Sequence, residues 1–178
     1  RNHQQNQAPD DRQPAILLPG VVTALLGLML AVQLARTFIL NEQSDPQLVY
    51  WLAFIPARGV FSGEYPGGWI PLLWTPFTHA FVHAGWEHLL INCAWLAIFG
   101  TPVARRYGAW ATVILFLATA VAGAAAFAMT DLSDGQWLIG ASGGVAGLTG
   151  AACRFIFQPV IVGRDPEIAV MRPADVIA

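Results

Sequence analysis

Apolar residues in this chain fall into four long runs with only short polar interruptions, and none of the runs carries the charged face of a soluble helix. Ala15 to Ala35 continues for about 21 residues without a charge, long enough to cross a bilayer at about 1.5 Å per helical residue. It is too long for the apolar part of a signal peptide, and no strongly basic segment precedes it. A second run extends from about Trp86 to Ala104 and is closed by Arg105-Arg106-Tyr107-Gly108. A third, Ala109 to Met129, covers another 21 uncharged residues. The fourth, about Leu138 to Phe157, opens LIGASGGVAGLTGAA. Small residues four apart (Gly140/Gly144 and Gly143/Gly147) let helices approach closely, which predicts a central place in a bundle for this span. The pattern predicts an all-α membrane protein, a polytopic helical bundle with spans over 15–35, 86–104, 109–129 and 138–157.

The polar segments complete the plan. Residues 1–14 (RNHQQNQAPDDRQP) read as a disordered tail in which His3 is merely solvated. Residues 37–85 form a long loop with Glu42, Asp45, Arg58, Glu64 and the turn-rich Tyr65-Pro66-Gly67-Gly68. Trp51, Trp69 and Trp74 suit the headgroup belt. The apolar piece Leu48 to Ile55 predicts a short interfacial helix, because so long a loop rarely lacks structure. Residues 158–178 carry Arg164, Asp165, Glu167, Arg172 and Asp175 and contain no spanning run, so they read as a tail or a connection to further helices.

Composition agrees with the pattern. At 178 residues, 56% hydrophobic and 11% charged content with a mean hydropathy of +0.53 exclude an ordinary soluble domain. The lipid bilayer is therefore an expected partner. A net charge of −2 with no basic patch gives no reason to expect nucleic acid. Cys93 and Cys153 lie inside apolar runs and read as packed side chains. The chain has no Lys, so its orientation rests on arginines. With the N-terminus in the cytoplasm, Arg1, Arg12, Arg105, Arg106, Arg154, Arg164 and Arg172 lie inside and only Arg36 and Arg58 outside, seven against two. The sequence starts at Arg1 rather than Met, the mark of a fragment or a processed form. The absence of an organelle-type leader points to a bacterial inner membrane.

Chemistry concentrates in THAFVHAGWEHLLIN, Thr78 to Asn92, which holds three of the four histidines, His79, His83 and His88. Asn92 follows His88 by four residues, so both share one helix face. Polar groups at membrane depth are expensive and usually functional. The arginine-based orientation puts the His88 end of the second span on the same outer side as Ser142 at the head of the fourth. Ser142, in Gly140-Ala141-Ser142-Gly143, sits where free backbone N–H groups and the helix dipole favour developing negative charge. Glycines around it allow close approach of a substrate backbone. His88 and Asn92 are candidate hydrogen-bond donors to an oxyanion there. Two blander readings stand beside this one. The Gly/Ser run is also what a packing motif looks like, and His79, His83 and His88, with Glu87, form a weak metal-binding pattern because Gly85 interrupts any common face.

Taken together, His83-x4-His88-x3-Asn92, Gly100 with Arg105-Arg106, and Gly140-Ala141-Ser142-Gly143 resemble the rhomboid family of intramembrane serine proteases, over roughly Trp74 to Phe157. The resemblance implies a six-helix fold, of which about four helices are present here. It makes Ser142 the nucleophile, with His88, Asn92 and the serine's own N–H lining the oxyanion hole. His83, Gly140 and Gly143 would support the site. It also implies a transmembrane protein segment as substrate, cut near the extracytoplasmic face with no metal and no cofactor. Two features depart from the family pattern. Trp74-Thr75 stands where members often have Trp-Arg, and no histidine follows Ser142 in the 36 remaining residues (178 − 142). The expectation is a C-terminally truncated chain whose general base lies beyond Ala178, with little turnover of its own. The alternative is a non-catalytic rhomboid-like protein that binds transmembrane clients. Phe81 and Trp86 are expected at the substrate entrance.

Overall fold

The computed structural model describes residues 18–130, 135–156, 160–162 and 167–169. The first helix, α1, covers Gly20–Phe38 and starts directly after Pro19, whose fixed φ suits the start of a helix. Val22, Leu25, Met29 and Gln33 form its buried stripe. Its other face is just as apolar, with Leu28, Leu30 and Leu34 at 40% exposure or more. A helix apolar all round is at home in lipid rather than water.

Helix α4 (Trp86–Trp95) passes through a π-type turn at Leu96–Gly100 into α5 (Thr101–Thr130). The rod is broken at Gly108, whose φ of 81° lies in the left-handed region that glycine adopts freely. Beyond Gly108 the chain turns back. The start of α4 lies beside the start of α6 (Ser142–Ile156), while Tyr107 meets Phe155 near the end of α6 at 5.0 Å between rings. The later part of α5 therefore runs antiparallel to α6, with Gly123 against Gly143 and Phe116 against Gly144. Thr119 Oγ1 adds a hydrogen bond across this contact to the Gly144 carbonyl, 3.3 Å. Val22, Met29, Leu89, Leu96, Phe116, Val145 and Leu148 fill the common core. Among the described residues, Gly20–Phe38 and Trp86–Thr130 are long and apolar enough to cross a membrane. With Ile98, Trp110, Ile114 and Met129 exposed on the outside, the molecule is an all-α integral membrane protein.

Two local features differ from the sequence pattern. The apolar run expected to be helical from Leu138 is non-helical through Ala141, bridged to Phe54 at Leu138 and bent at Gly140, and α6 begins at Ser142. Residues 160–162 and 167–169, in the expected tail, pair as a short antiparallel hairpin with Ile161 opposite Ile168. The consecutive β-branched residues Val160, Ile161 and Val162 favour an extended backbone there.

The segment between α1 and α4 is compact. Asn41 Oδ1 accepts from the Gln43 and Ser44 backbone N–H groups (3.0 and 2.9 Å) and so starts α2, Ser44–Leu52. Trp74 Nε1 donates to the Trp51 carbonyl and Thr78 Oγ1 to the Leu52 carbonyl, each at 2.8 Å, tying α3 (Thr75–Thr78) to the end of α2. Arg58 is fully buried. Its guanidinium lies 4.2 Å from the Tyr50 ring centre and near those of Trp51 and Tyr65, and it donates to the Tyr50 carbonyl. Arg58→Ala is expected to lower stability by roughly 2 kcal/mol, the value of a desolvated cation–π contact, and Arg58→Lys to recover only part because it lacks the flat stacking surface. Thermal unfolding in detergent checks both.

Candidate active site

Ser142 is the first residue of α6 and is exposed. Four hydrogen bonds hold the segment leading into it. Phe54 and Leu138 exchange both backbone bonds (3.1 and 2.9 Å), the His79 carbonyl accepts from Gly140 N–H (2.9 Å), and His83 Nε2 accepts from Ala141 N–H (3.4 Å). The non-helical conformation just upstream thus follows from pairing with the preceding loop, which satisfies backbone groups that a helix would have paired internally.

On the facing helix, Asn92 Nδ2 donates to the His88 carbonyl at 2.9 Å, the relation expected four residues apart. His88 Nδ1 accepts from Ala84 N–H at 3.4 Å, which places its ring proton on Nε2. A groove of about 440 Å³ between α4 and α6 is lined by His88, Ile91, Asn92, Trp95, Ser142, Val145, Ala146 and Thr149. His88, Asn92 and Ser142 therefore line one opening, among mostly apolar walls. A smaller cavity of about 190 Å³ lies on the other side of Ser142, bounded by His79, Gly123, Phe127, Leu138, Gly140 and Gly143.

Gly140 has φ of 114°, and a Cβ built there would fall 2.6 Å from His88 Cε1. The missing side chain is what lets the strand lie against the imidazole. Gly143 faces α5, where a Cβ would stand 3.3 Å from the Thr119 carbonyl oxygen. His83 is buried behind the groove, its ring edge-on to His88 at 5.2 Å. His79 is buried too, with Nδ1 3.0 Å from the Thr75 carbonyl. Among the described residues no three His, Cys, Asp or Glu side chains converge in a metal-binding group. Phe81 is partly buried against Phe116, and Trp86 is 36% exposed. Sequence reasoning passed over Gly123 and Phe127, because only the folded chain brings them beside the serine, and over Phe54, which pairs with Leu138 ahead of it.

Burial is the main force on the loop histidines. It lowers His79, opposed by the Thr75 and Pro76 backbone. It holds His83 down to about 4, with His88 and then Arg36 pushing the same way and the Phe81 backbone opposing. Unfolded, His83 returns to 6.5. Between these values the unfolded chain binds the extra proton, so stability rises with pH. The contribution is complete above pH 6.5 and lost as pH falls through about 4. A protonated His83 also loses the lone pair that accepts from Ala141. Melting in detergent from pH 7.5 down to pH 4 is expected to show a loss of about 3 kcal/mol that His83→Gln removes.

The fold and groove define a helical membrane protein with a serine at a helix N-terminus facing a His/Asn pair. The chain belongs to the rhomboid family: the Rhomboid domain family model matches residues 71–171. It is similar to the human (Homo sapiens) rhomboid-related protein 3, 34% identical over 79 residues, which is 44% of this chain and 19% of that protein. The mouse (Mus musculus) rhomboid-related protein 3 is 35% identical over 78 residues, with the same coverage of 44% and 19%. The match thus spans about a fifth of the length of these relatives.

Proposed function

We propose that this chain carries the nucleophile and oxyanion hole of an intramembrane serine protease that cuts transmembrane segments. Ser142 Oγ attacks the scissile carbonyl carbon and passes its proton to a base. The carbonyl oxygen becomes an oxyanion held by His88 Nε2–H, Asn92 and the Ser142 backbone N–H. Collapse breaks the peptide C–N bond, the amine leaves with a proton from the base, and water releases the acyl group from Ser142. No histidine follows Ser142 in these 178 residues, and this reading assigns the base to a histidine that they do not include. The seven-to-two arginine distribution supports an orientation with the N-terminus in the cytoplasm and the site near the opposite face. One observation carries the reading: Ser142, at the first turn of α6, opens into the same groove as His88 and Asn92.

The test is labelling by a fluorophosphonate probe in detergent. It compares the 178-residue chain, a form extended by any sequence the gene encodes beyond Ala178, and Ser142→Ala in each. Labelling of the extended form, lost completely in Ser142→Ala and reduced about a hundredfold in His88→Ala, is the expected result. A folded extended form that stays unlabelled rejects catalysis and leaves the client-binding reading.

A further inference from the structure

The peptide unit between His83 and Ala84 is gripped from both sides. Its N–H, on Ala84, donates to His88 Nδ1 at 3.4 Å. Its carbonyl, on His83, accepts from Arg36 Nη1. The chain has no cis peptide bond among its described residues, so this N–H and carbonyl point in opposite directions, one to each partner. Arg36 lies in the last turn of α1 and is held in plane by Asp45 of α2, Nε to Oδ1 at 2.7 Å and Nη2 to Oδ2 at 3.1 Å. That two-point fork fixes the guanidinium and leaves Nη1 aimed at the His83 carbonyl. The side chains of Arg36 and Asp45 are only 12% and 30% exposed, so water screens the arrangement weakly.

We propose that Arg36, oriented by Asp45, is a positioning residue that fixes His88 as the Nε2–H tautomer through the His83–Ala84 peptide; this rests on the protease reading above. A cation at a peptide carbonyl polarises the whole amide and makes its N–H a stronger donor. A stronger N–H at Nδ1 secures a lone pair there and sends the ring proton to Nε2, the nitrogen that lies against Gly140, two residues ahead of Ser142. Only that tautomer offers a donor to an oxyanion from Nε2. The same Arg36 contact fixes the height of the His83 loop, whose imidazole in turn accepts from Ala141 next to Ser142. Arg36 touches no substrate in this scheme and acts only through the peptide and the imidazoles.

The imidazole nitrogens report the tautomer directly. In the 178-residue chain labelled with 15N-histidine, the two His88 nitrogens are expected to show one Nε2–H form at pH 7.5. Arg36→Gln is expected to give a mixture with Nδ1–H, Asp45→Asn a smaller admixture, and Arg36→Lys a partial return. In the extended form of the chain, Arg36→Gln should lower kcat by about tenfold while KM stays within about twofold, because an oxyanion donor is loosened rather than removed. A single Nε2–H tautomer in both Arg36→Gln and Asp45→Asn, each with a native melting profile, overturns the proposal, as does a loss confined to KM. If Arg36→Gln does not fold, Asp45→Asn decides alone. The tautomer readout does not depend on turnover. An inactive extended form with the expected tautomers therefore counts against the protease reading and not against the relay.

Discussion

Gly140→Ala is expected to reduce probe labelling and turnover of the extended form by about a hundredfold, with the protein still folded. Two effects act together. With φ at 114°, the position is one that L side chains rarely adopt, so alanine introduces strain of about 1–3 kcal/mol. The new methyl would also sit 2.6 Å from His88 Cε1 and 2.8 Å from Nε2. Relief requires either that the imidazole swing out of the groove or that the strand retreat and lose the 2.9 Å bond from Gly140 N–H to the His79 carbonyl. Both routes displace a group next to Ser142, and displacements near 1 Å are enough for a rate loss of about that size. Gly27→Ala is the control, since nothing lies within 4 Å of a Cβ there. Rates measured beside melting curves separate the site from the fold. Equal rates for Gly140→Ala and Gly27→Ala would remove Gly140 from the site.

Gly144→Val is expected to destabilise the bundle by about 3 kcal/mol or to prevent folding. A Cβ at Gly144 would stand 2.6 Å from two Phe116 ring carbons and 2.9 Å from the Phe116 carbonyl oxygen. The ring can turn, but the carbonyl belongs to the backbone of α5, so α5 and α6 must move apart. Separation breaks the Thr119 to Gly144 hydrogen bond and opens the core around Val145 and Leu148. Gly144→Ala should show the same effect at smaller size. Adding Phe116→Leu should recover part of the loss by removing the ring clash while the carbonyl clash remains. Thermal unfolding of the four proteins in detergent measures this coupling. Additive effects would mean that Phe116 is not the obstacle.

These two glycines also mark the limit of what the sequence reveals. Gly144 belongs to a spacing of small residues, and there the spacing serves the close approach of α5 and α6. Gly140 belongs to the same spacing, yet it ends up at positive φ in the bend ahead of α6, pressed on an imidazole. Local pattern does not distinguish these roles, because the choice depends on what the rest of the chain puts opposite. The same holds for Phe81, whose position beside His83 gave no sign that its ring turns to Phe116.

By itself, the sequence determined the class of solvent, the helical content and the family. Runs of about 20 uncharged residues can satisfy their backbone in lipid only as helices, and the His/Asn and Gly-x-Ser-Gly motifs are local strings. The pairing of His88 with Asn92 was legible for the same reason, since a four-residue spacing is short-range geometry. Tertiary structure alone decided the rest. It joined Phe54 to Leu138, set His83 under Ala141, and brought Arg36 to the His83 carbonyl across 47 residues of chain. Such contacts carry no periodic signal. They form because the few polar groups left in an apolar interior must find partners, and which partner is within reach depends on how all the helices pack.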